Sequence, residues 1–236
     1  MSLLTLVQDA AVLVGLESPT SVVSNSDATV AQLKALAQQE GDELSRFYDW
    51  RNLKVSSTIT GDGTTESWDL PCDWDRQVAG DDLWLSTAPF IPLQGPVSDQ
   101  DWLGFKAAPT RPIRPIWRYF GATIQIWPVL SASQTVNLEY RSSYWISSSD
   151  GATIRNRWSA DSDVALVPER VMTYGLIWRW KRMKGLDYSE EFATYQVERM
   201  KAARNDGGYR TLKAAELFNR DSLTGRKNLY SVVVVP

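Results

Sequence analysis

Carboxylates are the first residues in this chain that could do chemistry. Asp69, Asp73 and Asp75 lie close together, and Asp81 and Asp82 are adjacent. Two carboxyl groups at a fixed separation can hydrolyse a glycoside, one as acid and the other as base or nucleophile. Aspartates in loops, however, more commonly accept hydrogen bonds from nearby backbone and shape turns, and this spacing fixes no separation. Asp73-Trp74-Asp75 supplies too few oxygens for a calcium loop. Gly61-Asp62-Gly63 lacks the lysine and the following helix of a phosphate-binding loop, so it reads as a turn. The chain has no His, which removes His-dependent triads and His-ligated metals. Its one cysteine, Cys72, excludes an intrachain disulfide framework and a Cys-rich metal site. The residues therefore predict no catalytic group, no metal site and no cofactor.

One more cluster could bind something. Arg179, Lys181, Arg182 and Lys184 interleave with Trp178 and Trp180, a composition that can hold a nucleic-acid backbone by charge and stacking. The helical period instead places Val171, Tyr174, Gly175 and Trp178 on one buried stripe. The basic residues then form an outer face near a helix end, suited to peripheral salt bridges or partner contacts.

The helices around that cluster are the best-marked part of the chain. Pro168 presets the backbone for a start, and Gly185 follows three basic residues where a left-handed cap is wanted. Asp187 with Glu190 three residues on resembles a capping box, and Asn205-Asp206-Gly207-Gly208 stops the second helix. Near the N-terminus Ser2 caps a helix with Leu3, Leu6, Val7, Ala10, Leu13 and Val14 on one stripe, ended by Gly15. Ser26 or Asp27 caps a longer helix to about Tyr48. Its stripe runs Val30, Leu33, Leu36 or Ala37, then Glu40 as a polar break, Leu44 and Phe47, with Trp50 and Leu53 packing onto the core at its exit.

From Val55 the period becomes alternating. Residues 56–60 and 64–70 around Gly61-Asp62-Gly63 predict a β-hairpin, broken by Pro71 and Asp73-Trp74-Asp75. Residues 82–86 form a further short strand. Six prolines between 87 and 116 predict mostly loop or edge. Residues 117–120, 122–127 and 134–146 predict a β-meander, followed by a polar connector over 147–163. Residues 1–54 are thus expected to supply the N-terminal helices of a bundle, 55–150 an inserted β-domain, 151–206 a connector and C-terminal helical hairpin, and 207–236 an arm. The fold class is α+β: a helical bundle with an inserted antiparallel β-domain and an extended C-terminal tail.

Charge is uneven. Residues 1–167 carry 12 Lys/Arg against 20 Asp/Glu, a net of −8, whereas residues 168–236 carry 13 against 8, a net of +5. Such asymmetry steers one end toward an acidic surface and keeps the other from nucleic acid. No apolar run approaches the roughly 20 residues of a membrane span, and Met1-Ser2-Leu3-Leu4 lacks the basic start of a signal peptide. The end of the chain, Ser231 to Val235, is uncharged and strongly β-prone, a liability unless it pairs. It can pair within the β-domain or add to a partner's sheet edge.

The phrases LLTLVQDAAVLVGL, FYDWRNL, ITGDGTTESWDLP, FGATIQIWP, VNLEYRSSYWI and PERVMTYGLIWRWKRMKGLDYSEEFATYQVERMKAA, in that order, resemble the head-to-tail adaptor (connector) proteins of tailed bacteriophages. The plan is similar to the tubular "A" proteins of short-tailed phages. The resemblance implies a structural virion protein at the head–tail junction, made in the host bacterial cytoplasm, without enzymatic activity or membrane association. It implies a ring of identical copies, typically a dodecamer, docked on the portal protein and meeting a downstream tail or nozzle protein. Genomic DNA would pass through the lumen without specific binding. It also makes the arm the portal-docking element. The expected apolar anchors are Leu212, Leu217, Phe218, Tyr230, Val232, Val233, Val234 and Val235, with Arg210, Lys213, Arg220, Arg226 and Lys227 as charge partners. The competing reading is a carbohydrate-recognising tail or host-binding module using Trp68, Trp74, Trp84 or Trp102 as stacking platforms.

Overall fold

A computed structural model describes residues 1–78, 82–87, 90–108, 112 and 114–207. The Ser2 hydroxyl accepts a hydrogen bond from the Thr5 N–H and opens α1 (Leu3–Leu13). Ala11 rather than Leu13 completes the buried stripe, because the helix ends there and leaves Leu13 exposed. The Asp27 carboxylate caps α2 (Ala28–Phe47) through the Thr29 N–H. A 3₁₀ turn, Arg51–Leu53, carries the chain out of α2, with Trp50 and Leu53 buried as expected. α4 (Glu169–Met183) and α5 (Ser189–Gly207) form the C-terminal hairpin. Its turn is a Schellman motif: Gly185 has φ +70°, Leu186 N–H donates to Lys181 C=O at 2.9 Å and Gly185 N–H to Arg182 C=O at 3.2 Å. The Asp187 carboxylate then accepts the Ser189 N–H at 3.0 Å.

The strands pair otherwise than their order suggests. β1 (Lys54–Thr60) does not form a hairpin with β2 (Ser67–Asp69). It runs antiparallel to β7 (Thr135–Ser142), which sets Ile59 opposite Val136, Ser57 opposite Leu138 and Val55 opposite Tyr140. The other edge of β7 takes β3 (Trp74–Gln77) and β4 (Trp84–Leu85). Trp74 and Asp75 therefore sit in a strand rather than break one. β2 joins a second sheet, in which β6 (Thr123–Trp127) lies between it and β5 (Ile116–Phe120). The expected meander is thus interrupted, with β6 and β7 in different sheets. The crossing is made at Gly61, whose N–H donates to Gln134 C=O at 2.8 Å. A Cβ there would meet Leu130 Cβ and the Ser131 carbonyl oxygen at 2.6 Å, so only glycine fits. Asp62 then binds the Thr64 and Thr65 N–H groups and the Thr65 hydroxyl.

The proline-rich stretch holds a helix that the sequence reading missed. The Ser98 hydroxyl accepts the Asp101 N–H and caps α3 (Asp99–Ala107), with Asp99 and Asp101 in its first turn. The prolines flank this segment rather than enter it. The polar connector likewise contributes to a small sheet of β8 (Ile146–Ser147), β9 (Ile154–Arg155) and β10 (Val164–Ala165).

Two apolar cores result. The first gathers α1, α2, α4 and α5 with Trp50, Leu53, Trp145, Ile146 and Trp158. The second lies with the two larger sheets, among Ile59, Trp117, Ile124, Ile126, Val136 and Leu138. The fold is α+β, with five helices and antiparallel sheets among the described residues.

Candidate assembly interface

The expected docking residues Arg210, Leu212, Lys213, Leu217, Phe218, Arg220, Arg226, Lys227, Tyr230 and Val232 to Val235 lie outside the described residues. What the structure describes is the helical body up to Gly207, after which those residues follow in the sequence.

That body is held by a buried Glu40–Arg179 ion pair, with the exposed Glu43 on the guanidinium's other arm. α2 and α4 approach where Gly175 lies: a Cβ on Gly175 would come 2.2 Å from Glu40 Cδ. Arg179 Nε donates to Glu40 Oε2 at 2.7 Å, and its Nη2 donates to Glu43 Oε2 at 2.7 Å. The Glu40 side chain is fully buried and that of Arg179 is 6% exposed. Burial raises the Glu40 carboxyl above its ordinary range, and the attraction of Arg179 only partly offsets it. Burial alone would lower the Arg179 guanidinium, but its bonds to the two glutamates outweigh this and raise it. Glu40 is therefore the anchor of the bundle rather than a polar break. Arg179 belongs inside with it, not on the basic outer face, because only its guanidinium reaches both carboxylates.

Trp178 packs α4 against α5 and the turn before it, with Phe192 at 5.0 Å, Tyr195 at 5.9 Å and Tyr188 at 6.2 Å between ring centroids. Trp178 and Trp180 are buried, so neither offers a face to nucleic acid. Lys181 pairs with Glu191 across the hairpin, which leaves Arg182 and Lys184 as the exposed cations at its turn.

Among the described residues, α5 presents a face without a partner. Ala193, Val197, Met200 and Arg204 recur at helical spacing and are exposed, Val197 to 53% and Met200 to 50%. The stripe runs into a groove beside Phe47 and Tyr48 at the end of α2. The Asp206 carboxylate accepts the Arg51 N–H at 2.9 Å, and Gly207 passes close under the Tyr48 hydroxyl. The end of α5 is thereby fixed to the 3₁₀ turn.

The joint between the two cores is built from arginines. Arg141 donates to Trp50 C=O at 2.7 Å, and Arg76 to the Asp49 carboxylate at 2.9 Å and Tyr48 C=O at 3.1 Å. Of the carboxylates considered for hydrolysis, Asp73 and Asp75 are engaged in this region. Asp73 is buried and accepts from Tyr140 and Ser142 hydroxyls, each at 2.7 Å. Asp75 pairs with Arg76. Asp69 is exposed on β2, and Asp81 lies outside the described residues.

The tryptophan platforms fare no better. Trp102 is buried beneath the Arg118 guanidinium, 4.7 Å from its ring centroid. Trp68 is half-buried against the second core, and Trp74 packs between Tyr119 and Tyr140 at 5.3 Å from each. Of the four, Trp84 alone is exposed. Among the described residues no His, Cys, Asp or Glu cluster could hold a metal ion, and no helix is long and apolar enough to cross a membrane.

A family model described as SU10 adaptor protein matches residues 1–226, taking in both cores and the whole of α5. No curated protein gives a significant match.

Proposed function

The chain belongs to the SU10 adaptor protein family, whose members are structural components of bacteriophage particles, and from that premise we propose a ring-forming head-to-tail adaptor. The carrying observation is the extent of the match, which runs through the helical core, the β core and well into the arm.

In this reading the helical core forms the ring wall, and the sheets project toward a downstream tail or nozzle protein. The exposed stripe of Val197 and Met200 suits burial against a neighbouring copy, since contiguous apolar surface on a helix invites a partner. Residues 207–236 form the arm that docks on the portal. Their net positive charge, with the sticky Ser231 to Val235, fits a segment that orders on binding and offsets the entropy cost with contact area. The acidic body would repel phosphates, so DNA passes the lumen without being gripped.

The test is native mass, alone and with the portal protein, for the full chain and for one lacking Gly208–Pro236. A ring or a portal-induced ring from the full chain, with portal binding lost on deletion, is expected. Unchanged portal binding after deletion would remove the docking arm. A monomer indifferent to the portal would remove the adaptor role itself.

A further inference from the structure

Among the described residues, a groove lies open beside the end of α5. The groove lies between the end of α2 and the last turns of α5, lined by Phe47, Tyr48, Met200, Ala203, Arg204 and Gly207. Phe47 is 36% exposed and Met200 50%. Two cations border it. Arg199 lies over the Phe47 ring at 4.0 Å with its Nε unpartnered, and Arg204 stands exposed on the rim. Neither forms an ion pair among the described residues.

We propose that this groove receives Leu212–Phe218 of the same chain while the subunit is free, so that the arm is parked on its own helical body until a partner draws it off. The occupant is argued from continuity and chemistry. The described chain ends at Gly207, itself a lining residue, and 29 residues follow. Leu212 is five residues beyond Gly207, a reach of at most about 17 Å, so the segment stays in the neighbourhood of the groove. Leu212, Leu217 and Phe218 match the apolar floor, and Glu216 supplies a carboxylate for Arg199 and Arg204. Ser231 to Val235, by contrast, carries no charge and begins 24 residues beyond Gly207.

A tether of about five residues sets a local concentration of about 1 mM, so an intrinsic Kd of about 0.1 mM suffices to keep the groove about tenfold more filled than empty. A partner competing for the arm then sees its affinity reduced about tenfold. The inference deepens the docking-arm reading and depends on it only for its purpose. Its test needs no portal protein, so either can fail alone.

The experiment titrates a labelled synthetic peptide of residues 209–221 against the full-length chain by fluorescence anisotropy. The wild type, its groove filled, should bind it weakly. The full-length Leu217→Asp/Phe218→Asp variant, altered only outside both described cores, should bind it about tenfold tighter. Adding Met200→Asp, at a half-exposed site that leaves the core intact, should abolish that gain. Equal binding by wild type and arm variant, no binding to either, or indifference to Met200→Asp would overturn the proposal. Exclusion of the peptide only by a dimeric wild type would place a second copy's arm in the groove and overturn the same-chain contact.

Discussion

Arg179 reaches Glu40 at 2.7 Å across 139 residues of chain, with both side chains out of solvent and Glu43 on the guanidinium's other arm. A buried charge stripped of its partner costs about 3–5 kcal/mol. Arg179→Ala should therefore destabilise by that order, since it strands Glu40. Glu40→Ala should cost less, because Glu43 still holds the guanidinium. The double variant Glu40→Leu/Arg179→Met should recover much of the loss. Urea midpoints check the order, and strictly additive losses would contradict the coupling.

Two helical glycines should invert their usual behaviour. Replacing Gly by Ala inside a helix ordinarily gains about 1 kcal/mol. A Cβ on Gly41 would lie 1.9 Å from Trp145 Cη2, and one on Gly175 2.2 Å from Glu40 Cδ. Both substitutions should lower stability, by about 1–3 kcal/mol. Gly104 of α3, with nothing within 4 Å, is the control and should be neutral or stabilised as Ala. Thermal melts of the three variants decide the matter.

Acid should act on Glu40 in the direction opposite to most paired carboxylates. Its folded pKa is raised by burial, so on acidification the folded state takes up this proton before the unfolded state does. Its contribution to stability therefore grows as pH falls from above that raised value toward the ordinary glutamate range. Asp163 runs the other way. Burial would raise it, but the Ser159 and Ala160 hydrogen bonds hold it below its ordinary range, and its contribution is lost as pH falls through that depressed value. Glu40→Gln should remove the first effect and leave the second. Wild type should gain on the variant as pH falls toward the ordinary glutamate range, measured as the difference in urea midpoints.

Exposure separates the tryptophans once offered as sugar platforms. Trp84→Ala, at 48% exposed, should shift stability by no more than about 0.5 kcal/mol. Trp102→Ala, at 2% exposed beneath Arg118, should cost about 3–5 kcal/mol. Denaturation of both variants, with a glycan array on the wild type expected to show no binder, tests whether these rings serve the core.

The local signals in this chain were legible because their physics acts over a few residues. Ser2 and Asp27 satisfy backbone donors two or three positions on, and Gly185 supplies a left-handed cap to the turn just before it. Those residues announce the helices, and their order with the alternating middle announces α+β. α3 was missed although Ser98 with Asp99 and Asp101 is a readable start, because the surrounding prolines outweighed it. Partner choice was another matter. Alternation shows which face of β1 is apolar but not that Ile59 lies opposite Val136, and a glycine turn after β1 looks alike whether the chain returns or crosses to another sheet. Glu40 and Arg179 each read locally as polar residues on helices, one a break and the other surface. Only the tertiary structure could place them together, since burying two charges is tolerable solely where each meets the other, and that condition is set by how helices far apart in the chain close on Gly175.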